Sequence, residues 1–258
     1  MRIVRVQYRE HTFYASLAEN AVVCLNKALG LAQPIPLEEV IVLPPVMPTK
    51  IVCAAVNYRA HGAELGHTVP DEPRIFLKPP SSIIGPGHPI LLPPSSTRVD
   101  HECELAVVIG KTGRHLDPAD VREYVFGYAC ANDVTARDLQ KIDGIFGRAK
   151  GFDTFCPIGP WIETQIEEPD ALTIRTLVNG QVRQNGTTAD MIFKTFELVS
   201  FISKIMTLNP GDVILTGTPE GVGPLHAGDE VRIEIEGVGL LINPVLSDTD
   251  DGREKPVQ

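Results

Sequence analysis

Proline and glycine interrupt this chain so often that little room is left for long helices. There are 22 of each in 258 residues. Pro34, Pro36, Pro44, Pro45 and Pro48 crowd one stretch, and a second proline-rich stretch runs from Pro79 to Pro94. Proline lacks an N–H and fixes its own φ, so neither stretch can form a regular helix or a central strand. Between the breaks lie short apolar runs of strand length at 51–56, 74–77, 104–110, 128–131, 213–215, 231–235 and 240–242. Ile3, Val4 and Val6 begin another strand, which turns at Arg9-Glu10-His11 and returns over 12–17. Residues 172–178 and Val182 flank Asn179-Gly180, a strong two-residue hairpin signal. Helices are expected at 118–125, 134–141 and 192–206, the last with Phe193, Phe196, Val199 and Ile202 at helical spacing. Residues 57–72 read as a polar loop with a helical segment. Many short strands and few helices predict an α+β fold that is mainly β, a mixed roll or sandwich rather than a doubly wound sheet.

The organisation expected is a small β-rich unit with a proline-rich linker over residues 1–48, a main domain over 49–247 and a flexible tail at 248–258. Hydrophobic residues make up 43% of the chain and charged residues 22%, as in an ordinary globular protein. Asp plus Glu outnumber Lys plus Arg by 33 to 23, and this acidity argues against nucleic acid as a partner. Cys24, Cys53, Cys103, Cys130 and Cys156 are odd in number, widely spaced and without a CxxC pair, so neither disulfides nor a zinc ribbon is expected. With no apolar run of membrane-span length and no signal-like start, the expected location is the cytoplasm, away from membranes.

The chemistry concentrates where Asp100-His101-Glu102-Cys103-Glu104 opens an apolar strand. Side chains alternate along a strand, so Glu102 and Glu104 share a face. Two carboxylates there are costly unless they are protonated, hydrogen-bonded or sharing a cation; the alternative is an exposed strand end with two solvated acids. Asp133 falls where the 128–131 strand meets the 134–141 helix, and Arg137 and Gln140 follow at helical spacing. These three can surround an anion and a metal, or simply form a capped surface helix. Three oxygen donors without a Cys/His cluster select a hard cation, Mg²⁺ or Mn²⁺, with Ca²⁺ possible. His61 and Glu64, at i and i+3, form either a His–Glu base for water or an incidental surface pair. Lys150, Lys78 and the Gly-rich 216–224 run read, taken alone, as loop and turn residues. No P-loop, GxSxG elbow or GxGxxG dinucleotide motif is present.

Together these pieces resemble the fumarylacetoacetate hydrolase family. The matching stretches are Asn57-Tyr58 with His61 and Glu64; Phe76-Leu77-Lys78-Pro79; Glu102-x-Glu104-Leu105-Ala106-Val107-Val108-Ile109-Gly110-Lys111; and Asn132-Asp133-Val134-Thr135-Ala136-Arg137-Asp138-Leu139-Gln140. Lys150-Gly151-Phe152-Asp153-Thr154-Phe155-Cys156-Pro157, Asp190-Met191-Ile192-Phe193 and Leu215-Thr216-Gly217-Thr218-Pro219-x-Gly221-Val222-Gly223-Pro224 complete the set. The resemblance covers about residues 49–246, and the first 42 or so are similar to the small extra domain of some members. It implies the mixed β-roll fold, a divalent metal and a homodimer. Glu102, Glu104 and Asp133 match metal ligands, and His61 and Glu64 match the water-activating pair. Lys150 matches the lysine that stabilises an enolate or oxyanion, and Gln140 a glutamine that positions water or substrate. Arg137, Lys78 and Thr218 match positions that hold substrate oxygens.

Such a site fits a small 2-oxo acid whose enolate forms when a bond two carbons away breaks. Hydrolytic C–C cleavage of an acylpyruvate leads, because the His–Glu pair is intact. Decarboxylation or isomerisation of a 2-oxo dicarboxylate, as in aromatic catabolism or on oxaloacetate, follows. A non-catalytic metal-binding scaffold is the alternative from another class.

Overall fold

All seven residues of the strand Cys103–Ile109 are buried, so it must be covered on both faces. Cys103, Leu105, Val107 and Ile109 enter one apolar cluster, while Ala106 and Val108 enter another. That split follows the two-residue period of a strand. The computed structural model, which describes residues 1–64, 66 and 68–248, arranges the chain around this strand. Val125–Asn132 and Val213–Leu215 pair with it antiparallel on either side. The sheet continues to Ile51–Ala55 and Arg74–Lys78 past one neighbour, and to Cys156–Glu163 past the other.

A second, five-stranded sheet packs on the first. Its order is Gln181–Thr187, Thr173–Val178, Glu230–Ile235, Gly239–Ser247 and Ile90–Leu92. Ile174, Val231, Ile233, Leu241 and Val245 from this sheet meet Leu105, Val107 and Cys130 from the first in one core. The helix Thr195–Ile205 adds Val199 and Ile202 to the same core. Two sheets sharing a core form the mixed, mainly β roll that the segment pattern predicts. The expected hairpin at Asn179-Gly180 forms, with both turn residues at positive φ, 52° and 76°.

The N-terminal strands Arg2–Tyr8, His11–Ala18 and Ala21–Cys24 form an antiparallel meander with its own cluster of Val4, Val6, Phe13, Ala15, Val22 and Ile35. It joins the main sheet through the pairs Arg2↔Glu163 and Ile3↔Ile162. Part of the expected linker, Ile41–Leu43, lies beside Arg2–Tyr8 as a strand.

Two local expectations need correction, and one strand goes beyond them. The helix expected over 134–141 begins at Arg137 and runs to Asp143. Thr135 and Ala136 instead pair with Asp100 and Val99, and Val134 N–H donates to Phe155 O, so the backbone is committed before a helix can start. Asp133 therefore neither caps that helix nor shares its face. The helix expected over 118–125 is a single 3-10 turn, Val121–Tyr124, in which only Val121 is buried. Cys156–Glu163, masked in the sequence by Pro157, Gly159 and Pro160, is a strand. Its pairing with Val125–Asn132 shifts register between Tyr128 and Cys130, next to where Gly159 pairs, and proline is tolerated at such irregularities. The expected flexible tail, beyond residue 248, lies outside the described residues. All five cysteines are free thiols, and among the described residues no helix is long and apolar enough to cross a membrane.

Candidate active site

The end of the central strand carries the site. Glu102 and Glu104 flank Cys103, and Asp133 follows the neighbouring strand Val125–Asn132, whose Asn132 pairs with Cys103. One carboxylate oxygen from each of the three acids lies within 4.8 Å of the others. None of the three is more than 4% exposed, so solvated acids at a strand end are not what the fold makes.

Like charges this close and this dry need counter-charge. Lys78 donates to Asp133 Oδ1 at 2.6 Å, and Lys150 donates to Glu102 Oε2 at 2.7 Å and also to Asp133. Arg137 donates to Glu102 and, through Nε, to Asp100 Oδ2 at 2.9 Å. Arg98 grips the far side of Asp100 with bonds of 3.0 and 3.1 Å. Glu104 has no cationic partner among the described residues; its Oε2 accepts the Gly217 N–H at 2.6 Å. Burial alone would raise the Glu102 carboxyl, but Arg137 and Lys150 outweigh it and hold Glu102 below the usual carboxylate range. Burial, with Asp133 and Glu102 close by, pushes Glu104 well above that range. Burial also works against the charge of Lys150, yet Asp133 and Glu102 prevail and keep it protonated.

Four carboxyl groups, Asp100, Glu102, Glu104 and Asp133, thus face four cations, Arg98, Arg137, Lys78 and Lys150, yet none of these cations contacts Glu104. An all-oxygen donor set with one carboxyl that no side-chain cation reaches suits a hard dication, so the residues present fit such an ion.

The acids open onto a narrow cavity of about 40 Å³. His61, Arg137, Gln140, Lys150 and Thr218 line it with the three acids, and Phe76 and Phe146 form an apolar wall. The helix Arg59–Glu64 presents His61, whose Nδ1 lies 3.2 Å from Glu64 Oε2. Glu64 does not line the cavity; it is held from behind by the Gly221 N–H at 3.1 Å. Lys78, with its side chain fully enclosed, also stands outside the cavity and meets Asp133 and Val134 O instead. Just before the helix, Val56 has φ +57°, an unfavourable conformation for a β-branched residue, costing on the order of 1–3 kcal/mol. This turn directs the chain over the acids.

Several supporting residues escape a reading by sequence. Asn57 bonds Phe193 O, Thr216 O and Phe193 N–H, tying the His61 segment to the Thr216–Thr218 loop. Asn132 Oδ1 accepts the Glu102 N–H at 2.9 Å. Arg98, just ahead of the strand Val99–His101, stands two residues from Asp100, a separation that alone does not announce their pairing. Gly217 looked like part of a turn, yet its φ of +96° and the 2.8 Å that a Cβ would leave to Asn57 Cβ suit only glycine.

A sequence profile described as Fumarylacetoacetate (FAA) hydrolase C-terminal matches residues 50–246. The mitochondrial oxaloacetate tautomerase Fahd2a of Rattus norvegicus is 46% identical over 242 residues, spanning 88% of this chain and 77% of that protein. The crystal structure of 5-carboxymethyl-2-hydroxymuconate delta-isomerase from Mycobacterium smegmatis aligns with a TM-score of 0.89 and 43% identity, over 96% of this chain and 100% of that one. Maleylpyruvate hydrolase from Sphingobium sp. SYK-6, in complex with manganese (II) ion and pyruvate, aligns with a TM-score of 0.83 and 34% identity over the same shares.

Proposed function

Because the chain belongs to the fumarylacetoacetate hydrolase family, we propose that it is a divalent-metal-dependent enzyme acting on small 2-oxo acids. The observation that carries this reading is the convergence of three buried carboxylates on a cavity that also holds His61 and Lys150. Glu102, Glu104 and Asp133 would hold Mg²⁺ or Mn²⁺, a choice supported by the manganese in the Sphingobium structure. When bound, such an ion polarises the oxygens of a 2-oxo acid as a Lewis acid.

The chain's own residues do the rest. Lys150 sets a fixed positive charge where an oxygen gains negative charge, worth about 10²–10³ in rate. With Nδ1–H spent on Glu64, His61 keeps its Nε2 lone pair for taking a proton, and Glu64 fixes that tautomer. Arg137 donates Nη1 to Gln140 Oε1 at 3.0 Å, which leaves the Gln140 N–H groups to orient water or substrate. Thr218 and Arg137 bind substrate oxygens.

Proton exchange between carbon and oxygen of a 2-oxo dicarboxylate such as oxaloacetate is the reaction best supported, given the 46% identity to a tautomerase. His61 takes the proton from the carbon beside the 2-oxo group while the oxygen gains one, so nothing leaves and no co-reactant is needed. Hydrolysis of an acylpyruvate is the second reading, favoured by the His61–Glu64 pair. In it, His61 takes a proton from water attacking the distal carbonyl.

Oxaloacetate, acetylpyruvate and maleylpyruvate, each supplied with Mn²⁺, separate these readings. Tautomerisation changes the enol absorbance of oxaloacetate without releasing pyruvate. Decarboxylation releases pyruvate from oxaloacetate, and hydrolysis releases it from the other two. Glu102→Ala should lose metal and activity yet still melt cooperatively; full activity in metal-free Glu102→Ala protein refutes the site. His61→Ala should keep Mn²⁺ and lose about 10²–10⁴ in turnover, and an unchanged turnover number removes His61 from the base role. A homodimer is part of the same proposal, and light scattering tests it.

A further inference from the structure

Gln184 is fully buried in the second sheet, and all its polar atoms are engaged. A register shift between Thr176 and Leu177, close to the hairpin at Asn179-Gly180, puts Gln184 opposite Thr176. Its Oε1 accepts from Cys103 N–H at 3.0 Å and from Thr176 Oγ1 at 2.7 Å. Its Nε2 donates to Pro219 O and to Thr218 Oγ1, both at 2.8 Å. A backbone N–H can only donate and a backbone carbonyl can only accept, so Cys103 and Pro219 leave the amide one orientation. His101 Nδ1, 3.1 Å from the same Oε1, must then carry its hydrogen.

The consequence falls on Thr218. Its hydroxyl accepts from Gln184 and makes no other hydrogen bond among the described residues, while the residue lines the cavity beside the acids. We propose that Gln184 is a positioning residue that fixes Thr218 as a hydrogen-bond donor into the cavity, selecting a deprotonated carboxylate or carbonyl oxygen there. This rests on the cavity being the 2-oxo acid site. The bond from Cys103 N–H to the same amide fixes the orientation in which Nε2 faces Thr218.

Calorimetry of oxalate binding to the Mn²⁺-loaded protein tests this. Thr218→Val should weaken oxalate about tenfold to hundredfold, the range for losing a hydrogen bond to a charged group, and Thr218→Ser should restore binding to within about threefold. Gln184→Met should weaken oxalate in the native background but by less than about twofold once Thr218 is valine, because its effect on oxalate runs through that hydroxyl. If Gln184→Met fails to fold, Gln184→Glu, which keeps the acceptor for Cys103 N–H, carries the same comparison. Unchanged oxalate affinity in Thr218→Val overturns this inference alone. An equal loss from Gln184→Met in both backgrounds assigns Gln184 to the acid-bearing strand and overturns it too. Failure of the unaltered Mn²⁺-loaded protein to bind oxalate overturns the 2-oxo acid reading beneath it.

Discussion

Along Arg2–Tyr8, Ile3, Val4 and Val6 are buried, Arg5 is half-buried and Gln7 reaches solvent; along Cys103–Ile109 no residue does. The first strand keeps Val4 and Val6 dry over the small cluster around Phe13, while its other face, beyond Ile3, turns toward water at Arg5 and Gln7. The second has a core on each side, so a charge placed on it cannot escape to solvent. The acids at its start are dry for that reason, and Lys78, Lys150 and Arg137 are drawn in around them. A sheet covered on both sides thus makes a place where charge is held without water, and there electrostatic interactions are strongest.

Lys150→Met attacks the second region where it is most exposed to loss. Removing one partner from a buried ion cluster costs about 3–5 kcal/mol, read from denaturant melts of metal-free protein, and turnover should fall about 10²–10³. Unchanged stability would mean that Glu102 and Asp133 are not held as ions by that lysine. Leu105→Ala empties part of the two-sided core and should lower stability by about 2–5 kcal/mol in the same melts.

Asp138 sharpens the contrast, because it is an acid held beside water. Slight burial would raise its carboxyl, but bonds from Ser96 and Thr97 lower it to about 2. A depressed folded value stabilises the protein above the unfolded value of about 3.9, and that stability is lost as pH falls through about 2. Discounted for screening, Asp138→Asn should cost about 1 kcal/mol at pH 7. The gap from the unaltered protein should close between pH 4 and 2 in a series of melts. Arg5→Ala, on the wet face of the first strand, should change stability by less than about 0.5 kcal/mol. A loss comparable to Leu105→Ala there would erase the distinction between the two strands.

Much of the site is local in the sequence. Glu102 and Glu104 share a face because strands alternate, and His61 and Glu64 meet because one helical turn brings i and i+3 together. What the sequence concealed was non-local. Asp133 looked like a helix cap beside Arg137, yet Lys78 and Lys150, distant in sequence, take its carboxylate, and Arg137 turns to Asp100 and Glu102. Pro157 and Pro160 conceal the strand Cys156–Glu163, because the irregular pairing around Tyr128 and Cys130 that accommodates them is non-local.

The pattern of short apolar runs, the two-residue turn and the spacing of the acids were written in the residues themselves, because alternation, turn geometry and charge repulsion act over a few positions. Which cation meets which acid, why Glu104 is left with only a backbone N–H, and how Gln184 reaches Thr218 were decided by the packed sheets. Those contacts join residues far apart in the chain, and no local periodicity encodes them.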